Sequence, residues 1–332
     1  MDHSQNEHPL VVVTGARGFL GSKVVKLLVE GGQLVRATDR IATAADCGAE
    51  FIEADICDPE TLAPAFRNAD TLIHAAGLAH VFDQRPDAAG EFDRVNVQGT
   101  VATAEAAVRA GVKTMVLVSS VSVYGRHGMR AVDESVPCRP EGPYAVSKYL
   151  AEKRAIEIAH SSGMNLTILR LTTLYGEGDP GNINRLFRAI DRRRFLWIGD
   201  GSNRKSLIHR DDAAAAVVAA AMASLPGLHV FNVASHAATV RQIVETIAGE
   251  LNRPVPKWRI PGRPALRVFR LTSAAKIGGK RIKKAADTLS KWLADDVYDG
   301  SRFAATVPLP KTVGLSEGIR RQAVWFQNKK AA

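Results

Sequence analysis

A tyrosine and a lysine lie four residues apart in the stretch PYAVSK, at positions 144 and 148. Residues at this spacing share one face of a helix, so Lys148 can lie beside the Tyr144 phenol. A free phenol has a pKa of ~10, and that pKa must fall by about 3 units for the group to act as a base near neutral pH. A neighbouring ammonium in a dry site favours the phenolate. The pair therefore predicts proton exchange with a substrate hydroxyl.

A serine stands where it could assist that exchange. The stretch VSSVSVYG, at 118–125, closes the apolar strand TMVLV. Ligands of open α/β folds bind beyond the carboxyl ends of the strands, and Ser120 falls at such an end. We expect its hydroxyl to hold the substrate oxygen beside Tyr144.

A glycine-rich turn follows the first apolar run, in VVVTGARGFLG. Gly15, Gly18 and Gly21 would let a pyrophosphate approach the backbone and sit on the positive end of the next helix. Asp39 ends the second strand, 18 residues after Gly21, and could accept both hydroxyls of an adenosine ribose. The arrangement predicts a dinucleotide site.

The same acid bears on which dinucleotide is bound. A carboxylate at Asp39 repels a 2′-phosphate and so favours NAD. Arg17 and Arg40 are close enough in sequence to offset that repulsion and admit NADP. We expect NAD, with NADP as the alternative.

Strands and helices alternate through the first half of the chain. Apolar strands at 10–14, 34–39, 71–75, 114–118 and 166–171 are separated by helical segments, among them 59–68, 92–110 and 144–162. This pattern predicts an α/β fold, a Rossmann-type doubly wound parallel sheet of about seven strands, over residues 8–172. Residues 173–332 are predicted to form a smaller α+β substrate lobe. A strand near 228–234 is expected to return to the first sheet, so that the two parts interleave.

The composition and the cysteine content indicate the class of protein and the compartment in which we expect it. The 332 residues are 46% hydrophobic, without an apolar run of the ~18 residues that cross a bilayer. The first residues lack the layout of a signal peptide, and three cysteines without CxxC spacing predict reduced thiols and no metal centre. We expect a cytoplasmic protein.

The net charge of +10 is local. The stretch 257–291 holds eleven basic residues and one acidic residue, whereas the rest of the chain is balanced. Arg263, Arg267 and Arg270 fall on one helical stripe, which could rest on an anionic membrane, although a solvated or subunit-facing charge run is favoured. Without interleaved aromatic residues or a known module, nucleic-acid binding is not expected.

These motifs occur in an order that resembles the extended short-chain dehydrogenase/reductases of the NAD-dependent epimerase/dehydratase type. The ordered set covers most of the chain and comprises TGARGFLG, Asp39, ADI at 54–56, HAAG at 74–77, NVQGT at 96–100, SSVSVYG and YAVSK. The resemblance implies that Ser120, Tyr144 and Lys148 form a catalytic triad, with Tyr144 and Lys148 also at the nicotinamide ribose. It implies further cofactor contacts at Arg17, Phe19, Leu20, Arg40, Asp55, Ile56, Ala75, Ala76 and Gly77.

The resemblance also implies a substrate, a nucleotide-diphosphate sugar, and a homodimer through the helices near 92–110 and 144–160. Candidate substrate residues are Ser122, Asn182 before a helix, and Lys205, which stands where many relatives have an arginine, with Arg204 beside it. Lysine loses the bidentate geometry of arginine, which weakens that assignment. His80 is expected to be a loop residue without a catalytic role.

One departure from the family pattern reduces the number of reactions expected of this chain. Sugar 4,6-dehydratases of the family carry an acidic pair after the catalytic hydroxyl residue, but this chain has Val121 and Ser122 there. Neither side chain is an acid or base at neutral pH, so dehydration is not expected. A 4-epimerase and a 4-keto-sugar reductase of bacterial surface polysaccharide synthesis remain. A reductase or dehydrogenase of a non-sugar alcohol or ketone, and a non-catalytic dinucleotide sensor, are the alternatives.

Overall fold

The computed structural model describes residues 9–41, 48–79, 88–127, 131–235, 237–255, 257, 259–261, 292–310 and 312–331. Every structural statement below refers to this part of the chain.

A seven-stranded parallel sheet forms the centre of the molecule. Its strand order is β10-β6-β5-β4-β1-β2-β3. The strands are β1 (Leu10–Thr14), β2 (Leu34–Asp39), β3 (Glu50–Glu53), β4 (Thr71–His74), β5 (Thr114–Ser120), β6 (Asn165–Leu171) and β10 (Leu228–Val233). Val11, Val12 and Val13 are fully buried, as expected for a central strand covered on both faces. The predicted doubly wound sheet is confirmed.

Helices cover both faces of this sheet. They are α1 (Gly21–Glu30), α2 (Pro59–Phe66), α3 (Ala88–Phe92), α4 (Gly99–Arg109), α5 (Pro143–Ser162) and α7 (Arg210–Ala223). One apolar cluster joins α1 and α7 to the sheet, and a second joins α2, α4 and α5 to its other face. These two layers place the carboxyl ends of the strands at one open edge.

The second half adds two small sheets and further helices. A three-stranded sheet has the order β11-β9-β7, and a two-stranded sheet pairs β12 with β8. The strands are β7 (Thr173–Tyr175), β8 (Trp197–Ile198), β9 (Arg204–His209), β11 (Ala237–Thr239) and β12 (Arg259–Ile260). The helices are α6 (Asn182–Asp191), α8 (Val240–Glu250), α9 (Ser301–Thr306) and α10 (Leu315–Ala331). A third apolar cluster holds α6, α8 and α10 together.

One predicted helix is not regular. The segment expected as a helix over 92–110 contains a π-helical stretch, Asp93–Gln98, between α3 and α4. Such local widening often accompanies a functional site. Here it carries Asn96, whose side chain binds the loop after β4 and the start of α5.

Candidate functional site

Ser120, Tyr144 and Lys148 come together at the open edge of the sheet. Ser120 is the last residue of β5, and Tyr144 lies in the first turn of α5. The two side chains are joined by a hydrogen bond. Lys148, one turn further along α5, donates from Nζ to the Val118 carbonyl of β5 at 2.7 Å. The spacing of four residues has therefore placed the phenol and the ammonium over the end of one strand.

Lys148 is buried and its charge is poorly compensated. Burial lowers the pKa of its ammonium to about 8, and the nearby Glu152 carboxylate raises that pKa in part. His74, at the end of β4, is fully buried behind it, and burial with the charge of Lys148 lowers the imidazole pKa to about 3. A neutral His74 leaves Lys148 as the local positive charge.

The Tyr144 phenol lies in an environment that opposes its ionisation. Burial raises its pKa, and the hydrogen bond with Ser120 lowers it in part. The ammonium of Lys148 donates to the Val118 carbonyl, and the burial of the phenol outweighs its hydrogen bond with Ser120. An additional positive charge beside the ring is needed before Tyr144 can work as a base at neutral pH.

The glycine turn between β1 and α1 is tightly packed. Gly15 has φ +67°, and a Cβ there would lie 2.7 Å from the Cα of Ala76. A Cβ on Gly21 would lie 2.0 Å from the Gly15 carbonyl oxygen. Neither position accepts a side chain without moving the backbone. The turn is held by bonds within the chain, because the amides of Ala16, Arg17 and Gly18 donate to Thr38, Asp39 and Gly15, respectively.

The first turn of α1 is open to an anion. Leu20, which precedes the helix, makes no side-chain cap, and the first turn holds no acidic residue. The side chain of Asp39 receives hydrogen bonds from the amides of Arg17 and Arg40, at 3.0 and 2.8 Å, at the end of β2. The two features fit the pyrophosphate and the adenosine ribose of NAD, respectively.

The remaining predicted cofactor positions line the same edge. The Asp55 carboxylate accepts from the Cys57 amide at 2.9 Å, and the Ile56 side chain is buried against Gly99 of α4. Ala75 and Ala76 bond to Thr14 after β4, and Gly77 follows them, where a Cβ would lie 3.9 Å from Lys148 Nζ. Phe19 stacks on Arg210 at 5.3 Å from the ring centre.

Several polar residues of the site received no role from the sequence. Asn96 accepts from the Leu78 amide at 2.8 Å and donates to its carbonyl and to Ser147, so it fixes the loop that faces Lys148. The buried Glu152 binds Arg170 through Nε and Nη2 and accepts from Ser119. Both groups of hydrogen bonds join residues that are far apart in the sequence. For Asn96 the motif NVQGT was the one feature of the sequence that could have indicated a role.

On the substrate side, Ser122 lies half-buried in the short 3₁₀ turn after β5. Its Oγ is buried and has no hydrogen-bond partner within the described structure. An unpaired buried hydroxyl beside Ser120 is consistent with a ligand group as its missing partner. Val121, at the first of the two positions where the dehydratases carry their acidic pair, is buried and has no ionisable group.

The predicted diphosphate ligands have partners within the chain. Asn182 is exposed at the start of α6, but the Asp179 carboxylate accepts from the amides of Gly181 and Asn184. The N-terminus of α6 therefore already binds a carboxylate of the chain itself. Lys205 forms an ion pair with Asp296 at 2.5 Å. Arg204 is exposed and donates to the Ala237 carbonyl at 3.1 Å.

Some predictions fall outside the described residues, namely the contribution of His80 and the helix near 263–271. The described helices include none with the length and apolarity needed to cross a membrane. No cluster of three or more metal-binding side chains occurs among the described residues.

Comparisons with known proteins agree with this geometry. The UDP-glucose 4-epimerase of Vibrio cholerae is 28% identical, over 95% of each chain. The N-acetyl-α-D-glucosaminyl-diphospho-ditrans,octacis-undecaprenol 4-epimerase of Escherichia coli O157:H7 is 27% identical, over 94% of this chain and 93% of its own. The solved structure of MoeE5 in complex with UDP-glucose and NAD superposes with a TM-score of 0.75 at 28% identity, covering 96% of this chain and 99% of that one.

The family model of the NAD dependent epimerase/dehydratase family matches residues 11–234, which contain the glycine turn, Ser120, Tyr144 and Lys148. This chain is an NAD-dependent enzyme and belongs to the NAD dependent epimerase/dehydratase family.

Proposed function

We propose that this protein is a 4-epimerase of a nucleotide-diphosphate hexose. The observation that carries the proposal is the convergence of Ser120, Tyr144 and Lys148 beside the open α1 turn, with Val121 and Ser122 following Ser120. The similarity to the Vibrio cholerae UDP-glucose 4-epimerase extends over 95% of each chain and supports the same reaction.

Each residue has a part in the proposed reaction. The Tyr144 oxygen takes the proton of the C4 hydroxyl while Ser120 holds that oxygen in line, and Lys148 stabilises the phenolate and its negative charge. NAD, when bound at the α1 turn, would supply the hydride acceptor and donor for C4. After the sugar has turned over, Tyr144 gives its proton back to the C4 oxygen. Configuration is inverted at C4, and the substrate and product have the same atoms.

Dehydration is not proposed, because it requires an acid and a base to remove a hydroxyl and a proton from neighbouring carbons. Val121 and Ser122 cannot fill these roles, and Ser122 is proposed instead to bind the sugar through its unpaired hydroxyl. Asn182, Arg204 and Lys205 are proposed to face the diphosphate.

The experiment is incubation of the purified enzyme with UDP-glucose, UDP-galactose and their N-acetyl and uronic acid forms, without added cofactor. We expect one pair of C4 epimers to interconvert, detected by NMR, and UDP to raise the melting temperature. Failure of every pair to interconvert, with no protection by UDP or dTDP, would overturn the proposal.

A 4-keto-sugar reductase uses the same triad and is the second candidate. It would consume added NADH in stoichiometric amounts with a 4-keto sugar and show no epimerisation without it. Bound NAD retained through purification favours the epimerase, whereas cofactor-free protein favours the reductase.

We also infer a homodimer through α4 and α5. The face of α5 leaves Val146 and Leu150 exposed by 38% and 40%, one turn apart. Replacing both by glutamate should give a monomer in sedimentation velocity, whereas the same change at the exposed Met222 of α7 should not. A double variant that remains dimeric would place the interface elsewhere.

A further inference from the structure

Two connecting segments of the second half run beside each other at the surface. One segment runs from residue 192, after α6, to the end of β8 at residue 198, and the other comprises residues 251–255, residue 257 and β12. The segments are joined at one end by the ion pair of Asp191 with Arg253, at 2.9 Å, and at the other by the parallel pairing of β8 with β12. We name the exposed surface of these two segments the β8–β12 corner.

The corner carries a run of unbalanced positive charge. Arg192, Arg193 and Arg194 follow α6 directly and are exposed, and Lys257 and Arg259 are exposed on the neighbouring segment. Asp191, the acid at its border, is already paired with Arg253 and with Lys330 of α10 at 2.8 Å. The hydrogen bond from Lys330 and the one from Arg253 lower the Asp191 pKa, so this carboxylate is ionised and neutralised within the protein. Asp200, just beyond β8, is the nearest exposed acid along the first segment.

Large aliphatic side chains are exposed among these cations. Leu196, Val255 and Ile260 are 41%, 41% and 40% exposed. Ten large hydrophobic residues are exposed in the described structure, and three of them lie at this one corner. Single exposed apolar residues need no explanation, but here three of them lie on the same two paired segments as five exposed cations.

We propose that the β8–β12 corner docks the enzyme on a membrane that contains anionic phospholipid. Each cation near such a surface strengthens binding about fivefold, and shallow insertion of aliphatic side chains supplies the second contribution that stable peripheral binding requires. The sequence beyond residue 261 adds nine basic residues and one acidic residue up to position 291. The proposal concerns location and does not depend on the proposed reaction.

A nucleic acid is the other polyanion that a basic surface could fit. Single-stranded nucleic acids need exposed aromatic rings for base stacking. The aromatic residues described at this corner, Phe195 and Trp197, pack on each other with ring centres 5.1 Å apart, and Trp197 is only 2% exposed. The exposed apolar groups are aliphatic, which favours lipid.

The test is co-sedimentation of the full-length enzyme with vesicles of phosphatidylcholine, alone or with 30% phosphatidylglycerol. One variant carries Arg192→Gln, Arg193→Gln and Arg194→Gln. Its control carries Lys26→Gln, Lys113→Gln and Arg320→Gln, exposed cations outside the corner and outside α4 and α5, so that both variants have the same net charge. A third carries Leu196→Ser and Ile260→Ser. Melting temperatures show that each variant is folded.

We expect the wild type to bind the anionic vesicles at low ionic strength and to dissociate at high salt. The corner variant should bind roughly 100-fold more weakly, the aliphatic variant several-fold more weakly, and the control like the wild type. Absence of binding, equal loss in the corner variant and its control, or a corner variant that binds as well as the wild type would overturn the proposal. Displacement of the vesicles by a polynucleotide at equal charge would reassign the corner to nucleic acid.

Discussion

The N-termini of α1 and α6 have the same partial positive charge but different surroundings. α1 follows the glycine turn and starts without a capping side chain or an acid in its first turn. At α6, the buried Asp179 accepts hydrogen bonds from the amides of Gly181 and Asn184. An anion stabilises either end, and at α6 the Asp179 carboxylate is that anion, whereas the first turn of α1 has no acidic side chain.

The lysines of the two halves show the same contrast. Lys148 of the first half is buried with a carbonyl as its closest partner, and burial lowers its pKa to about 8. Lys205 of the second half is held by Asp296 at 2.5 Å. The lysine on the cofactor side of the cleft, Lys148, thus has no carboxylate as its closest partner. The lysine on the side proposed for the sugar diphosphate, Lys205, is paired with one. A diphosphate bound beside Lys205 or at the start of α6 has to displace Asp296 or Asp179, or share their partners.

The largest effect is expected on the cofactor side of the cleft, for Tyr144→Phe. Loss of the proton-transferring oxygen should lower kcat by ~10²-fold or more, the scale of general acid–base catalysis. NAD binding should be retained, because the α1 turn is unchanged; both are measured by steady-state kinetics and by titration of NAD. Turnover within a few-fold of the wild type would exclude the role given to Tyr144.

Lys148→Met tests whether burial of the Lys148 ammonium lowers the stability of the fold. Its pKa in the folded protein, about 8, lies below the ordinary value of 10.5, so the unfolded chain binds more protons between these pH values. The charge therefore costs stability at pH 7, by about 3 kcal/mol, and that cost is relieved as the pH rises from about 8 to 10.5.

We consequently expect the stability of Lys148→Met, relative to the wild type, to fall by about 3 kcal/mol between pH 7 and pH 10.5. Denaturant unfolding at several pH values measures the difference, and Lys26→Met, at an exposed position, controls for removal of a cation. A difference that does not change with pH would mean that Lys148 is not strained by burial.

A matched pair of substitutions compares the two helix ends directly. Ser22→Asp puts an acid into the first turn of α1, which favours the helix but repels the pyrophosphate. We expect NAD affinity to fall roughly tenfold with unchanged or higher melting temperature. Asn182→Asp makes the same change at α6 and should leave NAD affinity as it is, while raising KM for the nucleotide sugar. Equal effects on NAD from both variants would remove the distinction between the two ends.

The smallest effect is expected for Asp296→Asn, which releases Lys205 from its ion pair. Because Asp296 is 46% exposed, the pair is weak, and freeing the ammonium should lower KM for a sugar diphosphate only about two- to fivefold. Lys205→Met should raise KM by a similar factor. No change of KM in either variant would place the diphosphate away from Lys205.

The cofactor side could be predicted from the sequence because its signals are local. The glycine turn spans seven residues, Gly15 to Gly21, and Tyr144 and Lys148 lie one helical turn apart. The direction of the Tyr144 pKa shift could not be predicted, because it depends on how deeply the fold buries the phenol and on its hydrogen bond with Ser120.

The substrate side was less predictable because its charges are paired over long distances. Lys205 and Asp296 are 91 residues apart, and Glu152 meets Arg170 from a different element. Asp179 is close to α6 in sequence, and an acid three residues before a helix could have been recognised as its anion. The edge strand β3, Glu50–Glu53, has no run of apolar residues and was not predicted by position.

The central claim is reversible removal of hydrogen from C4 by Tyr144 and its neighbours, and deuterium at C4 of the accepted nucleotide sugar tests it most directly. The account predicts that the epimer formed by the wild-type enzyme keeps deuterium on C4, with inverted configuration and no loss to water, and that Tyr144→Phe forms it at least ~10²-fold more slowly. Deuterium found at C6, exchanged with solvent, or left in unconverted substrate would contradict it.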